Sequence, residues 1–253
     1  MFSSTEAYDR HVGRYGAALS RAHIGAVDIR AGSRVLDVGC GPGPLTTALA
    51  ETLGPEQVAA VDPSEPFIEV CRRRVPGADV RVGSVEELPD FGTAFDVVMS
   101  QLVVNFMTNA VTGVQAMREA TRPGGLVTSC VWDYAEAMMM LRVFWDAALE
   151  LDPDAPDEGR TMRHCTKEEL RALWSQCGLR DIQTGELVVR APYDSFDDYW
   201  QPFPTGLAPS GAYCASLDPD RRDALREGCY RGLGEPTGAF TLTARAWLVW
   251  GRA

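Results

Sequence analysis

The sequence predicts an α/β fold: one seven-stranded sheet with helices on both faces, the last strand antiparallel, and helical inserts after the fifth and sixth strands. Three observations carry this expectation. Apolar runs at residues 35–38, 58–62, 95–101 and 126–131 are short and nearly uninterrupted, as strands buried on both faces of a parallel sheet require. Stretches with helical apolar spacing separate them, the alternation expected of a parallel sheet. The first run ends in a glycine turn and the second in a carboxylate, so bare backbone and an acid can meet a ligand at the carboxyl edge of the sheet.

Bulk properties narrow the function classes. A chain of 253 residues with 45% hydrophobic and 23% charged residues suits one α/β domain, 1–253, with cap-like inserts at about 134–165 and 192–238. The net charge of -11 argues against a nucleic-acid partner, which would call for a basic stripe. No apolar run is long enough for a membrane span. The first residues lack both a basic region and an apolar core, so no secretory leader is expected. Seven cysteines without a Cys-x-x-Cys pair read as reduced, buried thiols of a cytoplasmic protein. Three histidines in no ligand spacing make a metal site unexpected.

Residues 6–30 read as helical and contain Tyr8-Asp9-Arg10-His11-Val12-Gly13-Arg14-Tyr15. On residue type alone, His11 belongs to a surface face. The next strand runs into Val35-Leu36-Asp37-Val38-Gly39-Cys40-Gly41-Pro42-Gly43-Pro44-Leu45-Thr46. Its spacing is Gly-x-Gly-x-Gly behind an acid. A dinucleotide fingerprint instead needs Gly-x-Gly-x-x-Gly, and here Pro44 stands near the helix start. This stretch resembles motif I of the class I S-adenosylmethionine-dependent methyltransferases of small-molecule type (methyltransferase type 11/25-like), whose sheet is Rossmann-like. The resemblance implies S-adenosylmethionine as cofactor, with Asp37, Gly39, Gly41 and Gly43 at its site. The earlier segment is similar to that family's "YD…GR[WY]" lead-in. That similarity implies that Tyr8 folds over the cofactor and that the planar donor fork of Arg14 pairs with the methionine carboxylate.

The helix from Thr46 ends at Gly54-Pro55, and the second strand closes on Asp62. That carboxylate stands about 20 residues past the glycine turn, where such a unit places the group that accepts the ribose hydroxyls. By resemblance, Pro63 and Ser64 flank the adenine. A helix over 66–74 ends in three arginines, which complement its dipole. The third strand, 79–83, leads into Ser84-Val85-Glu86-Glu87-Leu88-Pro89, which resembles the family's adenine loop "GDAEELP". Ser84 replaces the usual aspartate there and is a weaker acceptor, while the backbone of Val85 or Glu86 supplies the other adenine contact.

The fourth strand ends at Gln101, placed to hydrogen-bond the methionine end of the cofactor. Neither a Pro-Pro-Tyr signature nor a Pro-Cys nucleophile follows it. A helix over 110–121 closes in Arg122-Pro123-Gly124-Gly125, a turn resembling the family's "LRPGG", before the fifth strand. Beyond Trp132 come a methionine- and aromatic-rich helix to about Leu151 and an acidic loop at 152–159. Thr166-Lys167-Glu168-Glu169 then opens a helix as a capping box. Residues 186–190 and 241–250 read as the sixth and seventh strands, and the aromatic-rich 192–238 needs helices of its own.

The expected activity is methyl transfer from S-adenosylmethionine to a small-molecule acceptor, at O, N or C. No motif fixes a catalytic base, and Asp133, Tyr134 and His164 are the residues near enough in pattern to consider. Two alternatives stand beside it: a nicotinamide oxidoreductase, opposed by the glycine spacing, and a protein that binds S-adenosylmethionine without methylating or serves as a partner subunit.

Overall fold

The computed structural model describes residues 11–253. They form two compact units. One comprises Gly16–Val131, Arg163–Leu187 and Ala246–Ala253; the other comprises Trp132–Met162, Val188–Arg245 and the described part of Met1–Tyr15.

The seven strands are β1 (Val35–Val38), β2 (Val58–Asp62), β3 (Asp79–Val82), β4 (Phe95–Gln101), β5 (Thr121–Trp132), β6 (Arg180–Tyr193) and β7 (Phe240–Arg252). They lie in the order β3-β2-β1-β4-β5-β7-β6, and β1 to β5 pair in parallel. In β5 and β7 a later residue of one strand meets an earlier residue of the other: Ala253 donates to Gly125, while Asp133, just past β5, donates to Arg245. The last strand is therefore antiparallel, as the alternating pattern of residues 241–250 leads one to expect.

The helices of the sheet unit are α1 (Gly16–Ala26), α2 (Pro44–Leu53), α3 (Glu65–Arg74), α4 (Ala110–Ala120) and, later in the chain, α7 (Lys167–Gln176). Helix α2 connects β1 to β2 on one side of the strand order and α4 connects β4 to β5 on the other, so right-handed crossovers place them on opposite faces. Val35, Val58, Val97 and Leu126 from four strands pack with Leu45 and Leu49 of α2 in a continuous core. Gly43 caps α2 in a left-handed conformation, with Pro44 at the first helical position. At α7 the cap half of the expected capping box holds, Thr166 Oγ1 accepting from the Glu169 amide at 3.1 Å, while Glu169 Oε2 accepts from the Cys165 amide, one residue before the cap, at 2.9 Å.

Four strands differ in extent from the sequence expectation; β3 ends one residue early, at Val82. β5 begins at Thr121, which pairs with Phe95 of β4, and the Gly124 amide donates to Ala253, so the Arg122-Pro123-Gly124-Gly125 segment belongs to the strand rather than only to a turn. β6 starts at Arg180, through residues too polar to read as a strand. In β6 the buried positions Leu187, Val189, Ala191 and Tyr193 alternate with exposed ones. β7 extends one residue earlier and two later than expected.

The second unit holds α5 (Met139–Leu151), the single turn α6 (Glu158–Thr161), α8 (Phe196–Trp200), a 3-10 turn at Phe203–Thr205, α9 (Ala208–Ser216) and α10 (Pro219–Gly232). Helix α10 packs on α5, and a Cβ at Gly228 would lie 3.0 Å from that of Ala147, so the small residue permits the close crossing. Arg142 of α5 is clamped by Asp157, with Nη1 to Oδ1 at 3.1 Å and Nη2 to Oδ2 at 3.0 Å, both side chains being buried. The methionine and aromatic cluster is interior packing: Phe144 stacks on Phe203 with centroids 4.5 Å apart. All seven cysteines are buried.

Candidate functional site

The carboxyl tips of β1 and β2 are locked together by backbone and by one acid. The Gly39 and Cys40 amides both donate to the Val61 carbonyl, at 2.8 and 3.0 Å. Asp62 then bridges two segments: Oδ2 accepts from the Gly41 amide at 2.9 Å and Oδ1 from the Ser64 amide at 2.8 Å. The carboxylate that sequence spacing assigns to ribose binding thus also sets the shape of the glycine turn. Each oxygen retains a lone pair beyond these bonds.

The three glycines have different reasons to be glycine. All have positive φ, at +72° for Gly39, +53° for Gly41 and +93° for Gly43. A Cβ on Gly39 would fall 2.5 Å from a Val103 methyl, and one on Gly43 would fall 2.7 Å from Cys71 Sγ. A Cβ on Gly41 would meet no heavy atom within 4 Å. The turn is therefore packed from behind at its two ends and open at its middle, where a ligand can approach backbone.

Two carboxyl-edge side chains hold unanswered acceptors. Asp37 is buried; its Oδ2 accepts from Thr46 Oγ1 at 2.7 Å, whereas Oδ1 has no partner among the described residues. Burial, with repulsion from Asp62 as a lesser cause, raises its carboxyl pKa to about 7. Gln101 donates through Nε2 to Ser20 Oγ at 3.0 Å and leaves Oε1 unpaired among the described residues. Ser20 in turn donates to the Gly16 carbonyl, which fixes the amide's orientation. Neither Ser20 nor Val103 is marked by sequence spacing, because each acts by supporting a residue that is.

Farther along the edge, Ser84 Oγ accepts from the Glu87 amide at 3.1 Å and shapes the turn that carries buried Val85 and half-buried Glu86. Pro63 is exposed and Ser64 half-buried at the start of α3. Tyr8 lies outside the described residues. His23 is fully buried between Thr128 Oγ1 at 3.0 Å and Cys130 Sγ at 3.5 Å, and desolvation lowers its pKa to about 3, so it serves as a neutral hydrogen-bonding strut.

Arg14 belongs to the second unit, and its fork is engaged there. Nη1 and Nη2 each reach a carboxylate oxygen of Asp198 at 3.1 Å, Nη1 also donates to the Pro192 carbonyl, and the guanidinium sits 4.0 Å over the Tyr193 ring. His11, expected on the surface, is instead buried against the edge of Phe203, because an aromatic residue distant in sequence covers it. Of the residues considered as bases, Asp133 is consumed by Arg245, which it accepts at 2.9 Å from Nε and 2.5 Å from Nη2, and His164 is a half-buried turn residue with φ of +57°.

Comparisons with known proteins bear on this arrangement. A family model described as a methyltransferase domain matches residues 35–125. A Mycobacterium ulcerans protein named as a phthiotriol/phenolphthiotriol dimycocerosates methyltransferase is 30% identical over 150 residues, 58% of this chain and 54% of the relative. The ubiquinone biosynthesis O-methyltransferase of Agrobacterium fabrum is 37% identical over 100 residues, 38% of this chain and 39% of the relative. The chain spans about half the length of the first curated relatives it matches. A solved structure of Haemonchus contortus phosphoethanolamine N-methyltransferase 2 with S-adenosyl-L-methionine superposes with a TM-score of 0.56 at 17% identity, covering 93% of this chain and 52% of that one. At that identity the likeness speaks for the fold alone.

Proposed function

We propose that the chain, whose residues 35–125 match a methyltransferase domain model, is a class I S-adenosylmethionine-dependent methyltransferase that transfers the methyl group of S-adenosylmethionine to a small-molecule acceptor. The observation that carries this reading is the strand-tip grip, in which Asp62 holds both the open Gly41 turn and the Ser64 amide. Beside it, the unpaired oxygens of Asp37 and Gln101 suit the donors of a bound amino acid moiety. The residues present therefore fit the cofactor.

In this reading Asp62 accepts the ribose hydroxyls through its remaining lone pairs, with charge-assisted bonds. Gly39, Gly41 and Gly43 keep the turn thin enough for close approach. Asp37 and Gln101 face the methionine end, the first answering its ammonium group. Pro63, Ser64, Ser84, Val85 and Glu86 border the adenine. The bound cofactor supplies a methyl group already activated on a sulfonium, so the protein's task is chiefly to align the acceptor and exclude water. The two curated relatives, named for phthiotriol/phenolphthiotriol dimycocerosates and for O-methylation in ubiquinone biosynthesis, support a small organic acceptor. The net charge of -11 opposes a nucleic-acid acceptor. No helix among the described residues is long and apolar enough to cross a membrane, and we place the activity in the cytoplasm.

Titration calorimetry with S-adenosylhomocysteine tests the cofactor reading. The parent chain should bind it, and Asp62→Ala should weaken binding at least tenfold, since one charge-assisted bond contributes about 1.5–3 kcal/mol. Failure of the parent to bind at millimolar concentration, or an Asp62→Ala variant of unchanged affinity, overturns it. Transfer of a labelled methyl group into a metabolite extract separates methylation from binding alone.

A further inference from the structure

Two of the buried cysteines face one another behind the glycine turn. Cys40 stands inside the turn, between Gly39 and Gly41, and Cys71 lies on α3. Both belong to one packed cluster with Ala60, Ile68 and Val80, wholly within the sheet unit. Their thiols are hydrogen-bonded to each other. Cys71 is also lodged against the far end of the turn, since a Cβ on Gly43 would fall 2.7 Å from its Sγ and 3.3 Å from its Cβ. Other buried cysteines meet different neighbours: Cys130 the His23 ring, Cys177 the Val111 carbonyl. A thiol that only fills apolar space needs no second thiol beside it.

The turn that carries Cys40 is held at several points. Arg74 Nη1, from the same helix as Cys71, donates to the Pro42 carbonyl at 3.2 Å. The Cys40 amide donates to the Val61 carbonyl at 3.0 Å, and its carbonyl accepts from the Gly43 amide at 3.0 Å. The next amide, that of Gly41, holds Asp62 Oδ2 at 2.9 Å. A shift of Cys40 is therefore felt at the carboxylate that grips the turn.

The two thiols are unequal. The hydrogen bond from Cys40 holds Cys71 below the ordinary thiol pKa against the opposing effect of burial, and Arg74 adds to the lowering. The same bond, with burial second, raises Cys40, so Cys40 keeps its proton. Cys40 retains 4% of its surface and lies beside Gly41, the open middle of the turn, which gives a small oxidant its route to the pair.

We propose that Cys40 and Cys71 are a peroxide-responsive pair, joined on oxidation by a disulfide that unseats the glycine turn and lowers its affinity for the cofactor. The oxidant is hydrogen peroxide. The Cys71 sulfur bonds to one peroxide oxygen as the O–O bond breaks, and the released hydroxide leaves as water with the proton that Cys71 has shed. The Cys40 sulfur then bonds to the Cys71 sulfur, the S–O bond breaks, and the departing oxygen leaves as a second water with the Cys40 proton. Two electrons pass from the sulfurs to the peroxide. Sulfur atoms in hydrogen-bond contact stand at about twice the disulfide length of about 2.05 Å. Joining them draws Cys40 toward α3 by on the order of 1 Å, more than the hydrogen bond from Gly41 to Asp62 tolerates. The effect on a cofactor rests on the cofactor reading above; the disulfide itself rests on the thiol contact.

The test uses the full chain, hydrogen peroxide, and S-adenosylhomocysteine as ligand. Cys40 and Cys71 share the tryptic peptide 35–72, which has no internal Lys or Arg, so the disulfide appears as the loss of two hydrogen atoms. Further cleavage after Glu51, Glu56 or Glu69 leaves the two pieces linked. Peroxide should form this link before any other among the seven cysteines. Calorimetry should show S-adenosylhomocysteine affinity falling at least tenfold in the linked chain and recovering fully after dithiothreitol. Ligand bound beforehand should slow the link at least fivefold, because it covers Gly41. In Cys71→Ser, and in Cys71→Ala as a second variant in case the first folds poorly, peroxide should leave affinity within twofold of that variant's own untreated value. Absence of the Cys40–Cys71 link in the parent, a link that leaves affinity unchanged, or an equal loss of affinity in the Cys71 variants overturns the proposal. Should the link form in a parent chain that ignores S-adenosylhomocysteine, the thiol pair stands, and its control of the cofactor falls with the cofactor reading.

Discussion

Replacing Gly39 and Gly41 in turn by alanine separates a glycine kept for packing from one kept for ligand approach. At Gly39 the new Cβ takes a φ of +72° and falls 2.5 and 2.7 Å from the two Val103 methyl carbons. The backbone contribution is about 1–2 kcal/mol for an L-residue in the left-handed region. Overpacking against Val103 adds about 1–3 kcal/mol. A total near 3 kcal/mol lowers Tm by on the order of 10 °C for a chain of this size. At Gly41 the φ of +53° falls within the narrow region open to L-residues, and no atom lies within 4 Å. Gly41→Ala should therefore cost only about 1 kcal/mol of stability. Its methyl group projects into the open side of the turn and should reduce S-adenosylhomocysteine affinity more than tenfold. Scanning calorimetry reads the first effect and titration calorimetry the second. The double variant Gly39→Ala/Val103→Ala should recover the overpacking share, about half the loss. Equal Tm losses in the two single variants, or no recovery in the double, would refute the steric reasoning.

The buried acids make stability depend on pH in a defined direction. Burial raises the carboxyl groups of Asp37 and Glu158 from ordinary acid values to about 7 each. The folded chain then holds protons that the unfolded chain has released, so this contribution is complete below pH 4 and is lost as pH rises toward 7. Denaturant midpoints measured across that window should fall less steeply with pH in Asp37→Asn than in the parent; parallel curves would show that Asp37 titrates as an exposed acid. In the second unit, Arg142 has one buried carboxylate partner, Asp157, and one mostly exposed one, Asp146, besides the buried Tyr134 carbonyl. Asp157→Ala should cost about 3–5 kcal/mol by leaving a buried guanidinium under-compensated, whereas Asp146→Ala should cost less than about 1 kcal/mol. Comparable denaturation midpoints for the two variants would remove burial as the cause.

The sequence by itself determined the sheet and the glycine turn at the tips of β1 and β2. Glycine spacing, the acid before it and a second acid about 20 residues later are local properties of a strand–turn–helix–strand path. Covalent geometry holds Gly41 and Asp62 on neighbouring tips once β1 and β2 pair, and the observed bond between them follows from that register. The helix start at Thr166 was legible for the same reason, since a cap is decided within a few residues, and the first crossover helix begins at Pro44, two residues before the Thr46 expected. What tertiary structure alone decided lies at long sequence separation. His11 sits among polar neighbours and reads as surface until Phe203 covers it, and the bonds of both Arg14 arms to Asp198 are not visible in the sequence. β5 gained its first residues because Thr121 pairs with Phe95 of β4 and Ala253 pairs with Gly124 and Gly125. Periodicity and motif spacing report what the chain does to itself over a few turns. Which distant side chain desolvates, covers or neutralises another is written only in the packing.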